Sequence, residues 1–508
     1  ERVMRRIGVA GVDWEVGDGQ TVTVDGWPLV GSWGCGGYTA RATARFARLM
    51  LHQGEWEGRR LIEASAVRAV TEDSGTPGPG AIGWWSNNDG HVTALPRDAY
   101  WGAGAEDQLV LVIPTLKLIS VRYGGPLDPT LLNDPAADRW FFTPLMTAIG
   151  KTDLQSTVAS RVLWPDTVWP VATPAEAGMS AVRLAQARDY ALTGGGSGMI
   201  TRHGKVVLTW GDQAKLYDLK SSSKAIGVTL LGVALQDGKV KLDDPAIDYQ
   251  PALGIPPESN PAAGWIGQIT LRQLANQAAG FEKPGGYGKL LFAPGTEWFY
   301  SDAGPNWLAE CLTLAYGRDL NEVVFERVFA PIGIKPEDIV WRENAFRSHE
   351  IAGMKRREFG SGFSANVNAM ARIGYLYLRE GRWGDEQIIP ADFVRLASRP
   401  AKELIGLPEY DHSHGNASDH YSLLWWDNGD GTIPGLPRDA FWSWGLHESF
   451  ILVIPSLDIV ATRAGDSWTR ISDEHYDVLN PFFEPIAAAV REFARNSNAS
   501  TPAANSPV

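Results

Sequence analysis

Ser221 and Lys224 are the two residues of this sequence whose types and spacing best fit a chemical reaction. On a helix, residues three positions apart lie on the same face, so the lysine amine can reach the serine hydroxyl. A serine hydroxyl attacks a carbonyl when a neighbouring base takes its proton, and a lysine in a dry site can have its pKa lowered enough to be that base. A serine at the start of a helix also has backbone N–H groups beside it for an oxyanion. The pair therefore predicts a serine nucleophile that is primed by a lysine.

Two later segments carry groups that fit the same reaction. Tyr300 follows a turn in the segment Pro294-Gly295-Thr296-Glu297-Trp298-Phe299-Tyr300-Ser301-Asp302, where it can share the proton transfer. The segment Trp442-Ser443-Trp444-Gly445-Leu446 comes before an apolar stretch, Phe450 to Ile454, that is typical of a strand. These segments strengthen a serine–lysine spacing that is weak evidence by itself.

With these segments, residues 170–485 resemble the class C β-lactamase, penicillin-binding and esterase superfamily of serine hydrolases. The resemblance implies that Ser221 forms an acyl-enzyme and that Tyr300 joins Lys224 in proton transfer. It also implies that the N–H groups of Ser221 and Leu446 form the oxyanion hole, and that no metal or organic cofactor is needed. The other segments that carry the resemblance are Gly238-Lys239-Val240-Lys241-Leu242-Asp243-Asp244-Pro245, Ile269-Thr270-Leu271-Arg272-Gln273-Leu274 and Ala279-Gly280-Phe281.

Two positions depart from the family pattern. Asp302 stands where the family usually has asparagine. The third element of the family is often Lys-Thr-Gly or His-x-Gly, whose cation holds a substrate carboxylate, but this sequence has Ser443-Trp444-Gly445. We therefore expect a neutral substrate, a small ester or amide. The residues expected to bind it are Asp302, Ser443, Trp444, Gly445 and His447.

Two other functions remain open. A β-lactamase or a D-alanyl-D-alanine peptidase would use the same nucleophile, and a non-catalytic binding or scaffold protein would keep the same fold. The presence of Ser221, Lys224 and Tyr300 together favours an enzyme, because a binding protein needs none of the three.

A group of histidines and carboxylates in the second half of the chain has the ligand types that a metal accepts. Its members are His412, His414, His420, Asp411 and Asp419. Their spacing matches no standard zinc pattern. We expect a solvated loop at the rim of the cleft, and no metal site.

The elements around these residues indicate an α+β fold. Strands are predicted on either side of His203-Gly204 and on either side of Pro455 to Asp458. Between them, helical patterns cover Ser221 to Gln236 and the ranges 269–278, 307–316 and 367–380. The resemblance implies a β-lactamase-like arrangement, in which an antiparallel sheet is flanked by helices and accompanied by a helical subdomain.

The first part of the chain repeats the last part. Leu95-Pro96-Arg97-Asp98-Ala99 recurs at Leu436 to Ala440, and Val112-Ile113-Pro114 recurs at Val453-Ile454-Pro455. We expect an extra half-module without a nucleophile at the N-terminus, followed by a linker, a complete module and a disordered tail. The expected boundaries are 1–150, 151–160, 161–493 and 494–508.

A half-module has a physical problem, because it leaves a sheet edge unpaired. We expect the chain to be a fragment of a longer tandem protein. The alternatives are that the half-module docks on the complete module, or that it pairs with another chain in a homo-oligomer.

Composition narrows the partners. The formal net charge is −13, and Lys and Arg form no long run, which disfavours binding to nucleic acid. No stretch reaches the about 18 consecutive apolar residues of a membrane-spanning helix, and the first residues lack the apolar core of a secretion signal. The sequence predicts a small-molecule substrate and fixes no compartment, although members of the resembled family are often periplasmic or secreted.

Overall fold

The chain divides into two compact units, Glu1–Ser160 and Arg161–Val508. The computed structural model describes residues 3–16, 22–24, 26–29, 36–71, 80–88, 90, 92, 94–127, 137–149, 163–166, 168–256, 260, 264–468 and 475–499. The predicted linker, 151–160, lies outside the described residues. We describe each unit by itself.

A seven-stranded antiparallel sheet forms the centre of the second unit. Both predicted hairpins are present, with His203-Gly204 in one turn and Pro455 to Asp458 in the other. The sheet joins the two ends of the unit, because Ser197–Arg202 pairs with Ile459–Ala464. From edge to edge, the strands are Lys205–Trp210, Ser197–Arg202, Ile459–Ala464, Phe450–Ile454, Phe441–Trp442, Trp425–Asp427 and Tyr421–Ser422.

Helices cover both faces of this sheet. On one face, Gly374 of the helix Val367–Leu378 lies so close to the sheet that a Cβ there would be 2.6 Å from both Ile451 and Val460. On the other face, Phe450 packs against Phe482 of the helix Asn480–Ala499. Successive residues of a strand point to opposite faces, so Phe450 and Ile451 place these helices on opposite sides. The predicted α+β class, with an antiparallel sheet flanked by helices, is confirmed.

The remaining described α-helices and strands of the second unit, apart from the helix Ala181–Ala191, lie between the strands Lys205–Trp210 and Tyr421–Ser422 in the chain. The α-helices are Ala181–Ala191, Ser222–Gly227, Thr229–Gln236, Leu271–Ala275, Ala303–Tyr316, Leu320–Val324 and Ala391–Ala397. The strands outside the central sheet are Tyr217–Asp218, Ile339–Trp341, Glu350–Ile351, Met354–Lys355, Phe363–Ala365, Arg382–Trp383 and Glu386–Gln387.

The predicted helix from Ser221 to Gln236 is two helices that meet at Val228. Every residue from Ser222 to Ala234 is buried, which agrees with its apolar sequence. The helix at the end of the unit includes residues 494–499, where the sequence predicts the start of a disordered tail, and residues 500–508 lie outside the described residues. Among the described helices, none combines the length and the apolar character needed to cross a bilayer.

The first unit contains a four-stranded antiparallel sheet with the strand order that its sequence repeat has in the second unit. Its strands are Leu118–Arg122, Gln108–Ile113, Tyr100–Gly104 and Trp85–Ser86. The α-helices of this unit are Ala40–Leu51, Ala64–Thr71 and Thr143–Ala148, and the short strands are Trp14–Val16, Val22–Val24, Trp27–Leu29, Gly36–Tyr38, Glu55–Trp56 and Arg59–Arg60.

A hydrogen-bond network also recurs between the two units. Asn87 donates through Nδ2 to three backbone carbonyls of residues 92–96, and Asn428 does the same with residues 433–437. The same loop is therefore closed in the same way in both places. This recurrence supports the predicted half-module, which stays a prediction.

The close approach of Gly374 to the sheet gives a test of the packing. Gly374→Leu is expected to lower the free energy of unfolding by about 2 kcal/mol or more, because the side chain must displace Ile451 and Val460. Urea unfolding followed by tryptophan fluorescence measures the change. Gly267→Leu is the control, since nothing lies within 4 Å of a Cβ at that exposed glycine. An equal loss of stability in both variants would contradict the packing argument.

Candidate active site

The ammonium group of Lys224 is fully hydrogen-bonded within the site. Its ammonium donates to Ser221 Oγ at 3.0 Å, to the backbone oxygen of Gly360 at 2.9 Å and to a carboxylate oxygen of Asp302. The side chain is only 1% exposed. An ammonium has three protons and here has three acceptors, so the geometry is that of a charged lysine.

Burial and charge act in opposite directions on the pKa of Lys224. Loss of hydration, the largest cause, lowers the pKa, whereas the Asp302 carboxylate and the Tyr300 side chain raise it, and the net direction is upward. The sequence-based expectation of a lowered pKa is therefore wrong. The expectation fails because the Asp302 carboxylate carries a negative charge that raises the pKa of Lys224, whereas an asparagine would carry none.

Tyr300 is held beside the lysine by its neighbours in the chain. Gln277, which is buried, accepts a hydrogen bond from the Ser301 N–H and donates one to the Ser301 carbonyl, both at 3.0 Å. Its backbone carbonyl also accepts from the Phe299 N–H at 3.0 Å. The residues on both sides of Tyr300 are thus fixed to one residue, and the centre of the Tyr300 ring lies 4.7 Å from Lys224 Nζ.

An aromatic cluster packs against Tyr300. Its ring lies 5.1 Å from the ring of His414 and 5.7 Å from that of Trp426, centre to centre. Trp426 in turn contacts Trp444 of the third element at 5.7 Å. The cluster connects the predicted tyrosine element to the predicted third element and leaves Tyr300 only 6% exposed.

The third element lies against the start of the Ser221 helix. A Cβ on Gly445 would be 2.2 Å from the Leu219 carbonyl oxygen and 2.9 Å from the Ser222 nitrogen, so only glycine fits there. The next residue is Leu446, and neither its N–H nor that of Ser221 donates to another residue in the described part of the chain. The two N–H groups therefore remain available for an oxyanion, as the resemblance implies.

The other predicted substrate contacts differ in their exposure. Ser443 is 1% exposed, and its hydroxyl donates to Ser222 Oγ at 3.0 Å and accepts from the Ile451 N–H at 2.9 Å. It therefore links the third element to the nucleophile helix. Trp444 and His447 are half-buried, and His447 Nδ1 lies 2.8 Å from Ser467 Oγ.

The predicted solvated loop is mixed in its exposure: Asp411 and His412 are exposed, His414 and Asp419 are half-buried, and His420 is buried. His420 is fully buried and bonds Asp430 and Tyr476, and His414 contacts Glu409, which is 5% exposed. Asp411 lies near this pair, whereas His412 and Asp419 do not join it. The expectation of a solvated loop is wrong for His414 and His420, because both pack into the aromatic cluster.

Sequence reasoning missed three residues of the site. Gln277 and Gly360 contribute backbone or amide groups that any sequence offers, so their roles depend on the tertiary fold alone. Lys283 places its ammonium 4.1 Å from the centre of the Tyr300 ring. The only sequence signal was its position two residues after the Ala279-Gly280-Phe281 segment.

The Gln277 bridge gives a prediction about catalysis. Gln277→Ala is expected to lower kcat for 4-nitrophenyl butyrate by about tenfold, since Ser301, the residue next to Tyr300, loses both of its hydrogen bonds to the Gln277 amide. Gln250→Ala removes an equally buried glutamine that bonds Glu310 instead. Steady-state kinetics and thermal unfolding measured together separate the effects. A kcat loss in both variants that merely follows their stability would count against a positioning role.

Comparisons with known proteins identify the family. A model of the beta-lactamase family matches residues 184–470. A beta-lactamase from Pseudomonas fluorescens is 29% identical over 135 residues, which cover 24% of this chain and 36% of that protein. The matched part therefore spans about a third of the length of that curated relative.

Two solved structures are also similar to this chain. A beta-lactamase from Mycobacterium bovis is 20% identical, covers 58% of this chain and 94% of its own, and has a TM-score of 0.45. A family VIII carboxylesterase is 18% identical, covers 60% of this chain and 98% of its own, and has a TM-score of 0.44. Because the family model matches more than half of the chain, in a range that contains Ser221, Lys224 and Tyr300, this chain belongs to the beta-lactamase family.

Proposed function

We propose that this protein cleaves a small ester or amide through an acyl-enzyme on Ser221. The observation that carries the proposal is the contact of 3.0 Å between Lys224 Nζ and Ser221 Oγ, in a buried site that also holds Tyr300. A serine hydroxyl with a lysine and a tyrosine beside it has the groups that nucleophilic catalysis requires. A binding protein would have no use for this combination.

The proposed reaction has two halves. Ser221 Oγ attacks the carbonyl carbon, its proton passes to the Lys224–Tyr300 pair, and the oxyanion accepts from the N–H groups of Ser221 and Leu446. The bond to the leaving alcohol or amine then breaks, and Tyr300 gives that group its proton. Water attacks the acyl-enzyme in the same manner, which releases the acid and restores the serine hydroxyl.

Asp302 sets the pH at which this pair can accept a proton. The carboxylate raises the pKa of Lys224, so the lysine is charged in the resting site and donates to Ser221 rather than accepting its proton. One proton must leave the Lys224–Tyr300 pair before Ser221 can be activated. We therefore expect activity to rise toward alkaline pH.

Replacement of the nucleophile tests the proposal. Ser221→Ala is expected to lower turnover of 4-nitrophenyl acetate and butyrate by at least about 10³-fold, and to abolish covalent labelling by a fluorophosphonate detected by mass spectrometry. Ser222→Ala is the control, because the Ser222 hydroxyl is turned away toward the Ser449 carbonyl. It should keep the label. Labelling that survives in Ser221→Ala would refute the assignment.

Nitrocefin, assayed alongside, distinguishes the alternatives. Turnover of nitrocefin that depends on Ser221 would favour a β-lactamase or a D-alanyl-D-alanine peptidase. If the wild-type protein is neither labelled nor active on any of these substrates, the non-catalytic binding protein becomes the better hypothesis.

Asp302→Asn gives a prediction with a defined sign. Removing the carboxylate lowers the pKa of Lys224, so its proton leaves at lower pH and the rising limb of the kcat/KM profile moves to lower pH. The measurement is kcat/KM for 4-nitrophenyl butyrate as a function of pH. Asp218→Asn is the control, because Asp218 pairs with the exposed Lys220 beside the nucleophile. If the rising limb of Asp302→Asn lies at the same pH as that of the wild type, the ionisation of Lys224 does not determine the pH dependence of kcat/KM.

A further inference from the structure

A second ammonium group lies at the site, on the face of the Tyr300 ring. Lys283 Nζ is 4.1 Å from the ring centre, and Lys224 Nζ is 4.7 Å from the same point. The two ammonium groups therefore lie within about 9 Å of each other, where like charges still interact in a partly dry site. The Lys283 side chain keeps exposed surface, so a solute can reach it.

The backbone that carries Lys283 is fixed to the tyrosine element. The Asp302 N–H donates to the Lys283 carbonyl at 2.9 Å, and the Ser301 hydroxyl donates to the Glu282 carbonyl at 2.7 Å. The segment that holds the ammonium is thus bonded to the two residues that follow Tyr300. A group positioned in this way is prepared before substrate arrives.

The charges of the two lysines beside Tyr300, Lys224 and Lys283, are compensated to different degrees. Lys224 and Asp302 form an ion pair and neutralise each other. The Lys283 ammonium makes no hydrogen bond and no ion pair within 4 Å with any residue that the structure describes, although Asp302 and Asp411 act on it through space. The Lys283 ammonium therefore has no contacting carboxylate, and the Asp411 carboxylate offsets its charge only from beyond 4 Å.

The environment of Lys283 is consistent with a charge that lacks a close partner. Loss of hydration and the positive charge of Lys224 lower the pKa of Lys283 to about 8, and the Asp302 and Asp411 carboxylates only partly oppose them. An ammonium whose charged form is disfavoured gains from an incoming anion more than a fully hydrated lysine does. The Lys283 ammonium would in turn compensate the charge of an anion that binds beside it.

We propose that Lys283 forms a binding subsite for a carboxylate of the substrate, beside the Ser221–Lys224 pair. The inference rests on the proposed function, and it replaces the expectation of a neutral substrate. That expectation followed from the absence of a cation in Ser443-Trp444-Gly445, but Lys283 supplies a cation from another part of the fold. The substrate class is then an ester or amide whose acyl part or leaving group carries a carboxylate.

Two pairs of esters test the subsite. Mono-4-nitrophenyl adipate and its methyl ester differ by one carboxylate on the acyl side, and 3-acetoxybenzoate and its methyl ester differ by one on the leaving-group side. In each pair the reacting carbonyl is the same, so only recognition of the charge changes. The pair that shows the larger preference for the acid identifies the side that faces Lys283.

Variants of Lys283 then assign the preference to this residue. Lys283→Met is expected to lower kcat/KM for the preferred acid by about tenfold more than for its methyl ester, mainly through KM. Lys283→Arg should retain most of the preference. Lys289→Met, an exposed lysine of the same loop, is the control and should behave as the wild type. The preference in the wild type should also fall as the pH rises above 8, since Lys283 then loses its charge.

The opposing outcomes are distinct. Equal losses for acid and methyl ester in Lys283→Met, or the same effect in Lys289→Met, would overturn the subsite while leaving the hydrolase in place. If the wild-type protein hydrolyses none of the four esters, the proposed function fails. Calorimetric titration of the Ser221→Ala variant with the four esters then decides. Tighter binding of an acid than of its methyl ester, lost in Ser221→Ala/Lys283→Met, supports the subsite, and equal binding overturns it.

Discussion

The buried contact between Lys224 and Asp302 is the interaction on which the rest of the site depends. The three acceptors of the Lys224 ammonium come from three parts of the chain: the nucleophile helix, the tyrosine element and the Gly360 segment. A buried ammonium without a partner is costly, so the folded state must bring all three together. Asn306 adds to this arrangement, because its side-chain oxygen accepts from the Gly360 N–H at 2.8 Å. One charged group therefore organises the geometry of the nucleophile, the tyrosine and the loop that faces them.

The sequence was sufficient for the parts of the fold and site that depend on local patterns. Apolar runs with turn residues between them predicted the hairpins on either side of His203-Gly204 and Pro455 to Asp458, because strand and turn preferences act over a few residues. The helical spacing of Ser221 and Lys224 correctly predicted that their side chains meet. The letter-for-letter repeat predicts a half-module in residues 1–150, and the four strands of its sheet follow the order of the four corresponding strands in the second unit.

The features that could not be predicted depend on which segments meet in three dimensions. The sign of the pKa change at Lys224 follows from a competition between burial and Asp302, and sequence alone does not give the distance between the two. His414 and His420 look solvated by composition, yet His414 packs against the Tyr300 ring and His420 is buried. Lys283 is ordinary by sequence, and only the hydrogen bonds to residues 301 and 302 place it on the tyrosine ring.

The position of the positive charge matters more than its presence. The chain as a whole carries a formal charge of −13, which at a distance would repel an anionic substrate. Such long-range repulsion is screened beyond about 8 Å at physiological ionic strength, so the groups in direct contact decide which ligands bind. Within direct contact distance, the Lys224 charge is already compensated by Asp302. The neutral Ser443-Trp444-Gly445 segment offers only backbone groups and an aromatic ring. The proposed Lys283 subsite places charge recognition beside Tyr300, the residue proposed to transfer the proton, instead of on the third element.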